Sequence, residues 1–393
     1  MSEKIRVLMV SGLSRRENQI AYVGDLINSI SAISNELLEL DVFVSAQGAY
    51  VNDGELDVNK IICVKVNKVL KWILNIPKLR VPIWSYYKHK SFRRLLKLKS
   101  YDFIVFHSVQ IDTDALVIEA KRTDAKIVIF PWGSDVLRAS KALQKHIQEC
   151  FSNADYIRGD NEDFIKHILE IYPNINPQKF VNITYASPAI TYIEQLRNCK
   201  KEELFERLPL PTDRYYIVCG YSANKGQQHK KIIEQIASIK NELPKNYLLV
   251  FPISYGKEYG ISKQEIVGWC DSYGLSCFCI DGYISDSQMA CLHLLTDILI
   301  HVQVTDLANS FIDEAVFAGT KIINGSWLHY PNLEKYGYPY RLCDSIEDLS
   351  DVLLSEIDSN KERIINTKLY NSLSKMSWPC VAKDWVVFFS NNN

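Results

Sequence analysis

The stretch Gly220-Tyr221-Ser222-Ala223-Asn224-Lys225-Gly226-Gln227-Gln228-His229 joins small and polar residues to the start of a helical pattern, Lys230 to Lys240. Free backbone N–H groups and the helix dipole converge at such a terminus and make an anion site. Lys225, His229 and Lys230 add side-chain hydrogen-bond donors, so a nucleoside diphosphate could be held there without a metal. The same residues also read as an ordinary polar loop that caps a helix. Two acids form a second group: Asp306 and Glu314 stand with seven residues between them in DILIHVQVTDLANSFIDEAVFAGTKIINGSW, Asp297 to Trp327. Ile298 to Val304 is mostly apolar and β-branched, as in a strand, and Phe311 to Gly319 has helical spacing ending in a C-cap glycine. Asp306 then lies at the mouth of the turn and Glu314 on the helix face that can look back toward it. Taken alone, the pair is equally a loop charge and a helix-surface charge.

The elements that must position these groups fall into two series of strand, turn and helix. The first opens with the strand Ile5 to Val10, the turn Ser11-Gly12-Leu13-Ser14 and a helix from Ile20 to Leu38. Strands follow at Leu40 to Ser45, Lys60 to Val66, Tyr101 to His107, Lys126 to Phe130 and Val181 to Tyr185. Helices are expected over Asp112 to Arg122, Ile147 to Arg158 and Glu162 to Leu169. Ser187 to Asp213 carries charge and Pro188, Pro209 and Pro211, and reads as the interdomain linker. The second series has strands at Tyr215 to Cys219, Tyr247 to Ile253 and Cys277 to Ile280, with helices at Ser262 to Tyr273, Asp286 to Leu295, Ser345 to Leu354 and Lys361 to Met376. The tail, Trp378 to Ser390, would bury one face. The fold class is therefore α/β, with two doubly wound, Rossmann-like domains facing across a cleft: 1–190, 191–376, and a closing helix over 377–393.

Composition fits this. A chain of 393 residues suits two domains of roughly 190, and 47% apolar with 23% charged residues is a globular balance. A net charge of -1 gives no bias toward nucleic acid. The first residues hold only a short apolar run, Val7 to Val10, too brief for a signal-peptide core. No stretch approaches the length of a membrane span. Ten cysteines are scattered without CxxC spacing, the closest pair being Cys277 and Cys279, as expected of small buried residues in a reducing cytoplasm, without disulfides or zinc.

One segment departs from the balance. Between Asp57 and Asp102 there are twelve Lys and Arg residues and no acid, interleaved with Trp72, Trp84, Tyr86, Tyr87 and Phe92. An anionic membrane surface selects cations beside apolar side chains; Lys88, Lys90, Arg93 and Arg94 are the contacts expected. A solvated charge run is the plain alternative. Nucleic acid is a third reading, though no nucleic-acid module accompanies the patch.

The acid, seven residues, Glu, Ala and then Gly-Thr stand here as Asp306, Glu314, Ala315, Gly319 and Thr320. In this the chain resembles the GT-B superfamily of nucleotide-sugar glycosyltransferases. The resemblance implies that Asp306 holds sugar hydroxyls, its reach one methylene shorter than the usual Glu, and that Glu314 takes the ribose hydroxyls of the sugar donor. Such proteins carry a small-residue turn of the kind His-Gly-x-Asp or Trp-Gly-x-Asp facing the cleft and the reacting sugar, and with Trp132 this sequence lacks the His. Here Trp132-Gly133-Ser134-Asp135 matches it, with Asp135 as general base, as orienter of a sugar hydroxyl, or as helix N-cap. Gly12 would lie near the donor phosphates or the acceptor, and Tyr283 would border the nucleobase. Tyr255, Asn309 and Ser310 join Ser222, Lys225, His229 and Glu314 as donor-binding candidates. Lys225-Gly226 is present while an earlier Arg of many GT-B loops is absent, with Tyr221 and Ser222 in its region. The Gly-x-Ser start, His229 and Phe251-Pro252-x-x-Tyr255-Gly256 are similar to bacterial 4-acetamido-4,6-dideoxygalactose transferases, which build enterobacterial common antigen.

The resemblance implies a metal-independent hexosyltransferase with no cofactor, using a nucleotide-sugar as substrate. Its acceptor would be a glycan, lipid-linked through polyprenyl pyrophosphate, at the cytoplasmic face of the cell membrane, in assembly of bacterial surface polysaccharides. A nucleotide-sugar epimerase on the same fold and an inactive partner subunit are the other readings. Asp135, Asp306 and Glu314 are the expected catalytic residues.

Overall fold

A computed structural model describes residues 3–11, 22–34, 36–45, 58–64, 66–137, 139–159, 162–257, 260–306, 309–337, 340–359 and 366–393. Gly12 lies outside the described residues. The chain divides into two compact units, Met1–Tyr185 with Trp378–Asn393, and Ala186–Ser377.

The first unit holds a seven-stranded sheet: β1 (Ile5–Ser11), β2 (Leu38–Val44), β3 (Lys60–Cys63), β4 (Phe103–His107), β5 (Lys126–Phe130), β6 (Tyr156–Arg158) and β7 (Phe180–Val181). The strand order is β3-β2-β1-β4-β5-β6-β7 and every pairing is parallel. Parallel strands are covered on both faces, which explains runs such as Val7 to Met9 and Ile127 to Ile129, all fully buried. The helix Trp378–Asn391 belongs to this unit. Trp385 stacks on Phe130 and Phe389 packs on Phe103, so the tail closes one face of the sheet.

The second unit holds six strands, β8 (Tyr215–Cys219), β9 (Tyr247–Pro252), β10 (Cys277–Ile280), β11 (Ile298–His301), β12 (Lys321–Gly325) and β13 (Arg341–Cys343), in the order β10-β9-β8-β11-β12-β13. These pairings too are all parallel. Strand order reverses between β1 and β4 in the first sheet and between β8 and β11 in the second. In doubly wound sheets ligands bind outside the carboxyl ends of the strands at such points.

Three local expectations need correcting. The stretch 187–213 is no linker. It forms the helices Pro188–Leu196 and Lys201–Arg207, whose Ile190, Ile193 and Leu204 sit in the core of the second unit. Pro188 occupies the first helical turn, where its missing N–H costs nothing. The helix expected from Ile147 to Arg158 is instead Lys141–Asn153, and Tyr156–Arg158 crosses into the sheet beside Val128 and Ile129.

The basic segment becomes the helices Lys68–Leu74 and Pro77–Leu98. Lys88 is buried with its Nζ 2.5 Å from Asp112, because a Lys on the packed face must find a counter-charge. Arg93 pairs with Glu119 at 3.1 Å and Lys99 with Glu39 and Asp41. Lys88 is thus removed from the expected membrane contact and Arg93 is committed in part. Lys90 and Arg94 are exposed.

Candidate functional site

Two loops leave the carboxyl ends of β8 and β11, the strands that flank the switch point of the second unit. Gly220 follows β8 with φ +67°, a conformation that favours glycine, and a Cβ there would stand 2.5 Å from Gln227 Oε1, so that side-chain amide would have to shift. The chain turns through Lys225–Gln227 and enters the helix His229–Ser238 from Gln228, itself left-handed at φ 61°.

The two loops are bonded to one another. Val304 N donates to Gly226 O at 2.9 Å and Gln228 Nε2 to Val302 O at 2.6 Å. Gln227 Nε2 donates to Gln303 Oε1 at 2.7 Å, and Trp327 Nε1 to Gln303 O at 2.7 Å. Tyr221 stacks on Phe311 and reaches Gln303 with its hydroxyl. The loop after β9 closes the other side, with Ala223 N donating to Tyr255 O at 2.8 Å.

Within this frame the expected anion-site side chains part company. Lys225 is exposed at the loop's outer turn. Ser222 and His229 point inward: the His229 ring is 0% exposed and its Nε2 donates to Ser222 O at 2.8 Å. Burial pushes the His229 pKa down, against a smaller upward effect of that bond, so the ring is a neutral brace for the loop. Both residues are engaged within the loop, Ser222 Oγ accepting from Asn224 N at 3.4 Å.

Asp306 lies just beyond β11. Its Oδ2 accepts from Tyr330 Oη at 2.8 Å and from Asn309 Nδ2 at 3.0 Å, with His301 Nε2 at 3.5 Å. Burial opposes its ionisation, but the hydrogen bonds from His301, Tyr330 and Asn309 outweigh it and hold the carboxyl below the ordinary range. Asn309 also caps the helix Ser310–Ala318 through Phe311 N, so Asp306, Asn309 and Ser310 form one corner. Tyr255 and Tyr283, after β9 and β10, present exposed rings on the same edge of the sheet.

Glu314 is placed differently from expectation. It is 4% exposed, and Oε1 accepts from Ser187 Oγ at 2.9 Å and Ala189 N at 3.1 Å while Oε2 stands 3.3 Å from His293 Nε2. A carboxylate at the N terminus of Pro188–Leu196 offsets that helix's dipole. Glu314 thus staples its own helix, which carries Asn309 and Ser310, to the start of Pro188–Leu196 and to His293.

Asp135 belongs to the first unit. Its Oδ1 accepts from Trp132 N at 2.8 Å and its Oδ2 from Val109 N at 3.1 Å, tying the turn after β5 to the turn after β4. Burial raises its pKa, partly countered by those N–H groups. Both oxygens are engaged, which fits a brace better than a proton acceptor.

The residues that sequence reasoning missed are His301, Gln303, Trp327 and Tyr330. Among the described residues, His301 Nδ1, Gln303 Nε2, Asn324 Oδ1 and His229 Nδ1 are buried with no hydrogen-bond partner. Such unmet capacity around the ends of β8, β11 and β12 marks a place for ordered water or ligand. A His closing an otherwise apolar strand was the one available signal. Among the described residues no group of three or more His, Cys, Asp or Glu could hold a metal.

No family model matches the chain, and no curated protein does. Solved structures do. A glycosyltransferase from Rickettsia africae ESF-5 matches with a TM-score of 0.68 at 14% identity, covering 100% of this chain and 99% of that one. The UDP-GlcNAc 2-epimerase of Neisseria meningitidis, solved with UDP-GlcNAc bound, gives 0.64 at 11%, covering 100% of both. WaaG, a glycosyltransferase involved in lipopolysaccharide biosynthesis, gives 0.60 at 14%, covering 96% of this chain and 95% of that one. At such identities the likeness speaks to fold, and the fold is GT-B: two doubly wound α/β domains.

Proposed function

We propose that this protein is a glycosyltransferase that moves a hexosyl group from a nucleotide-sugar to a glycan acceptor. The observation that carries the reading is the pairing, at the switch point of the second unit, of a helix-terminal loop bearing Lys225 with a buried, hydrogen-bonded carboxylate, Asp306. In this reading the diphosphate rests on the start of His229–Ser238 and on Lys225, which stabilise the charge that develops as the sugar bond breaks. Asp306 accepts a sugar hydroxyl, while Tyr255 and Tyr283 border the base. Asp135 holds the turn of Trp132 rather than removing a proton.

The acceptor we propose is lipid-linked and reached at an anionic membrane face. Support comes from the helices Lys68–Leu74 and Pro77–Leu98, where Trp72, Val81 and Tyr86 are 68%, 60% and 61% exposed. Lys71, Lys78, Arg80, Lys90 and Arg94 are exposed around them, and the stretch between Asp57 and Asp102 holds no acid. Among the described residues no helix is long and apolar enough to cross a membrane. Contact would be from the surface, as in polysaccharide assembly at the cytoplasmic leaflet.

The test is release of nucleoside diphosphate from a panel of UDP-, TDP- and GDP-sugars, with and without a bacterial lipid extract. Release that depends on the extract is the expected result. Release without any acceptor points to the epimerase chemistry of the N. meningitidis structure's kind. No release under either condition favours a partner subunit without turnover.

A further inference from the structure

His301, Tyr330 and Asp306 come from the end of β11, the segment after β12 and the loop after β11, and their polar atoms form a triangle, with His301 Nε2 also 3.5 Å from Asp306 Oδ2. His301 Nε2 is 2.6 Å from Tyr330 Oη, which is 2.8 Å from Asp306 Oδ2. Tyr330 has a single hydroxyl proton and gives it to Asp306, so the Nε2–H of His301 is shared between the Tyr330 oxygen and Asp306 Oδ2. Asn309 Nδ2 donates to the same carboxylate oxygen at 3.0 Å.

A loop acid whose only duty is to face water has no need of this. The Asp306 side chain is 7% exposed and that of His301 is 0% exposed, and both are costly to bury unless hydrogen-bonded. The titratable groups around this cluster are Tyr221, from the loop after β8, Tyr340, beyond β12, and Glu334, whose Oε1 accepts from Tyr330 N at 3.0 Å.

We propose that Tyr330 and His301 are positioning residues for the transferred sugar: they fix Asp306 as a carboxylate aimed at a ring hydroxyl of the donor's sugar, and not at its nucleotide. The inference rests on the reading that the second unit binds a nucleotide-sugar. It separates two parts of the ligand that the fold alone does not separate. Removing the Tyr330 hydroxyl leaves the ring in place but takes from Asp306 Oδ2 its shortest hydrogen bond, leaving Asn309 and the longer approach of His301. Asp306 then protonates more readily, and its grip on a hydroxyl weakens as pH falls.

The experiment is calorimetric titration of wild type, Tyr330→Phe, His301→Gln and His301→Leu with UDP, TDP and GDP, and with UDP-glucose, UDP-N-acetylglucosamine, TDP-glucose and GDP-mannose, between pH 5 and 8. Tyr330→Phe should leave nucleoside diphosphate affinity within about twofold and weaken the preferred nucleotide-sugar about tenfold, the effect of one hydrogen bond to a charged group. Its nucleotide-sugar affinity should also begin to fall at a higher pH than wild type. His301→Gln, which keeps an N–H, should restore most of what His301→Leu loses. Equal affinities and equal pH profiles in wild type and Tyr330→Phe overturn the proposal alone. So does a parallel loss of nucleotide and nucleotide-sugar, which would make Tyr330 merely structural. A wild type that binds none of the probes overturns the donor-site reading, and the proposal with it.

Discussion

Glu314 decides between two accounts of this site, and its replacement can be costed. In Glu314→Ala the Ser187 hydroxyl, the Ala189 N–H and the His293 ring lose their shared partner inside the core of the second unit. A buried polar group left unsatisfied costs about 1–3 kcal/mol, and water entering the vacated space recovers part of the sum. Loss of an acid at the N terminus of Pro188–Leu196 adds about 0.5 kcal/mol. The expected net loss is about 4 kcal/mol, close to that for breaking a buried pair by removing one partner. For a unit of this size that is about 10 °C in Tm. Glu314→Gln keeps an oxygen for Ser187 and Ala189, and its amide can meet a re-tautomerised His293, so about 1 kcal/mol is expected. Urea unfolding followed by tryptophan fluorescence reads the second unit through Trp269 and Trp327, both half-buried against its core. The reasoning fails if Glu314→Ala loses under about 1 kcal/mol yet no longer binds nucleotide, for then the carboxylate serves the ligand.

Further outcomes follow from other parts of the molecule. His107 is buried beside Phe130 and Trp385 with both ring nitrogens unpartnered, and burial lowers its pKa from 6.5 to about 3. A base with a lowered folded pKa is least harmful above the unfolded value and destabilises as pH falls, by about 2 kcal/mol at pH 5. His107→Phe should therefore gain on wild type in melts of the first unit as pH drops from 7 to 5, and a pH-independent difference contradicts this. Gly220→Ala should cost about 1–3 kcal/mol through positive φ and the Gln227 contact, with weaker nucleotide binding measured by calorimetry; an unchanged protein refutes the loop geometry. Trp72→Ser with Lys78→Gln and Arg80→Gln should release the protein from phosphatidylglycerol vesicles at low salt, at about 1 kcal/mol per cation. Unchanged co-sedimentation sinks the membrane surface.

Much of the fold was legible because parallel strands covered on both faces leave unbroken apolar runs, such as Ile127 to Phe130 and Ile298 to Ile300. The helices at 188–207 were not, since proline at a first helical turn is written in the same letters as a linker. Lys88 was misplaced because a charge run does not show that Asp112 waits 24 positions on. The site divides in the same way. Asp306, Lys225 and the glycine turn follow from local order. The inward aim of Glu314 depends on Ser187, 127 positions earlier, and spacing along one helix cannot disclose that partner. Tyr330 joins Asp306 across 24 positions with no periodicity between them.

The central claim is that the second unit holds a nucleoside diphosphate at the loop between β8 and the helix His229–Ser238. It is tested most directly by thermal melting of the wild type and Lys225→Ala with UDP, TDP and GDP. One of the three should stabilise the wild type by about 2.7 kcal/mol at a hundredfold excess over Kd, and Lys225→Ala should need more ligand for the same shift. A wild type whose Tm none of the three moves contradicts the account.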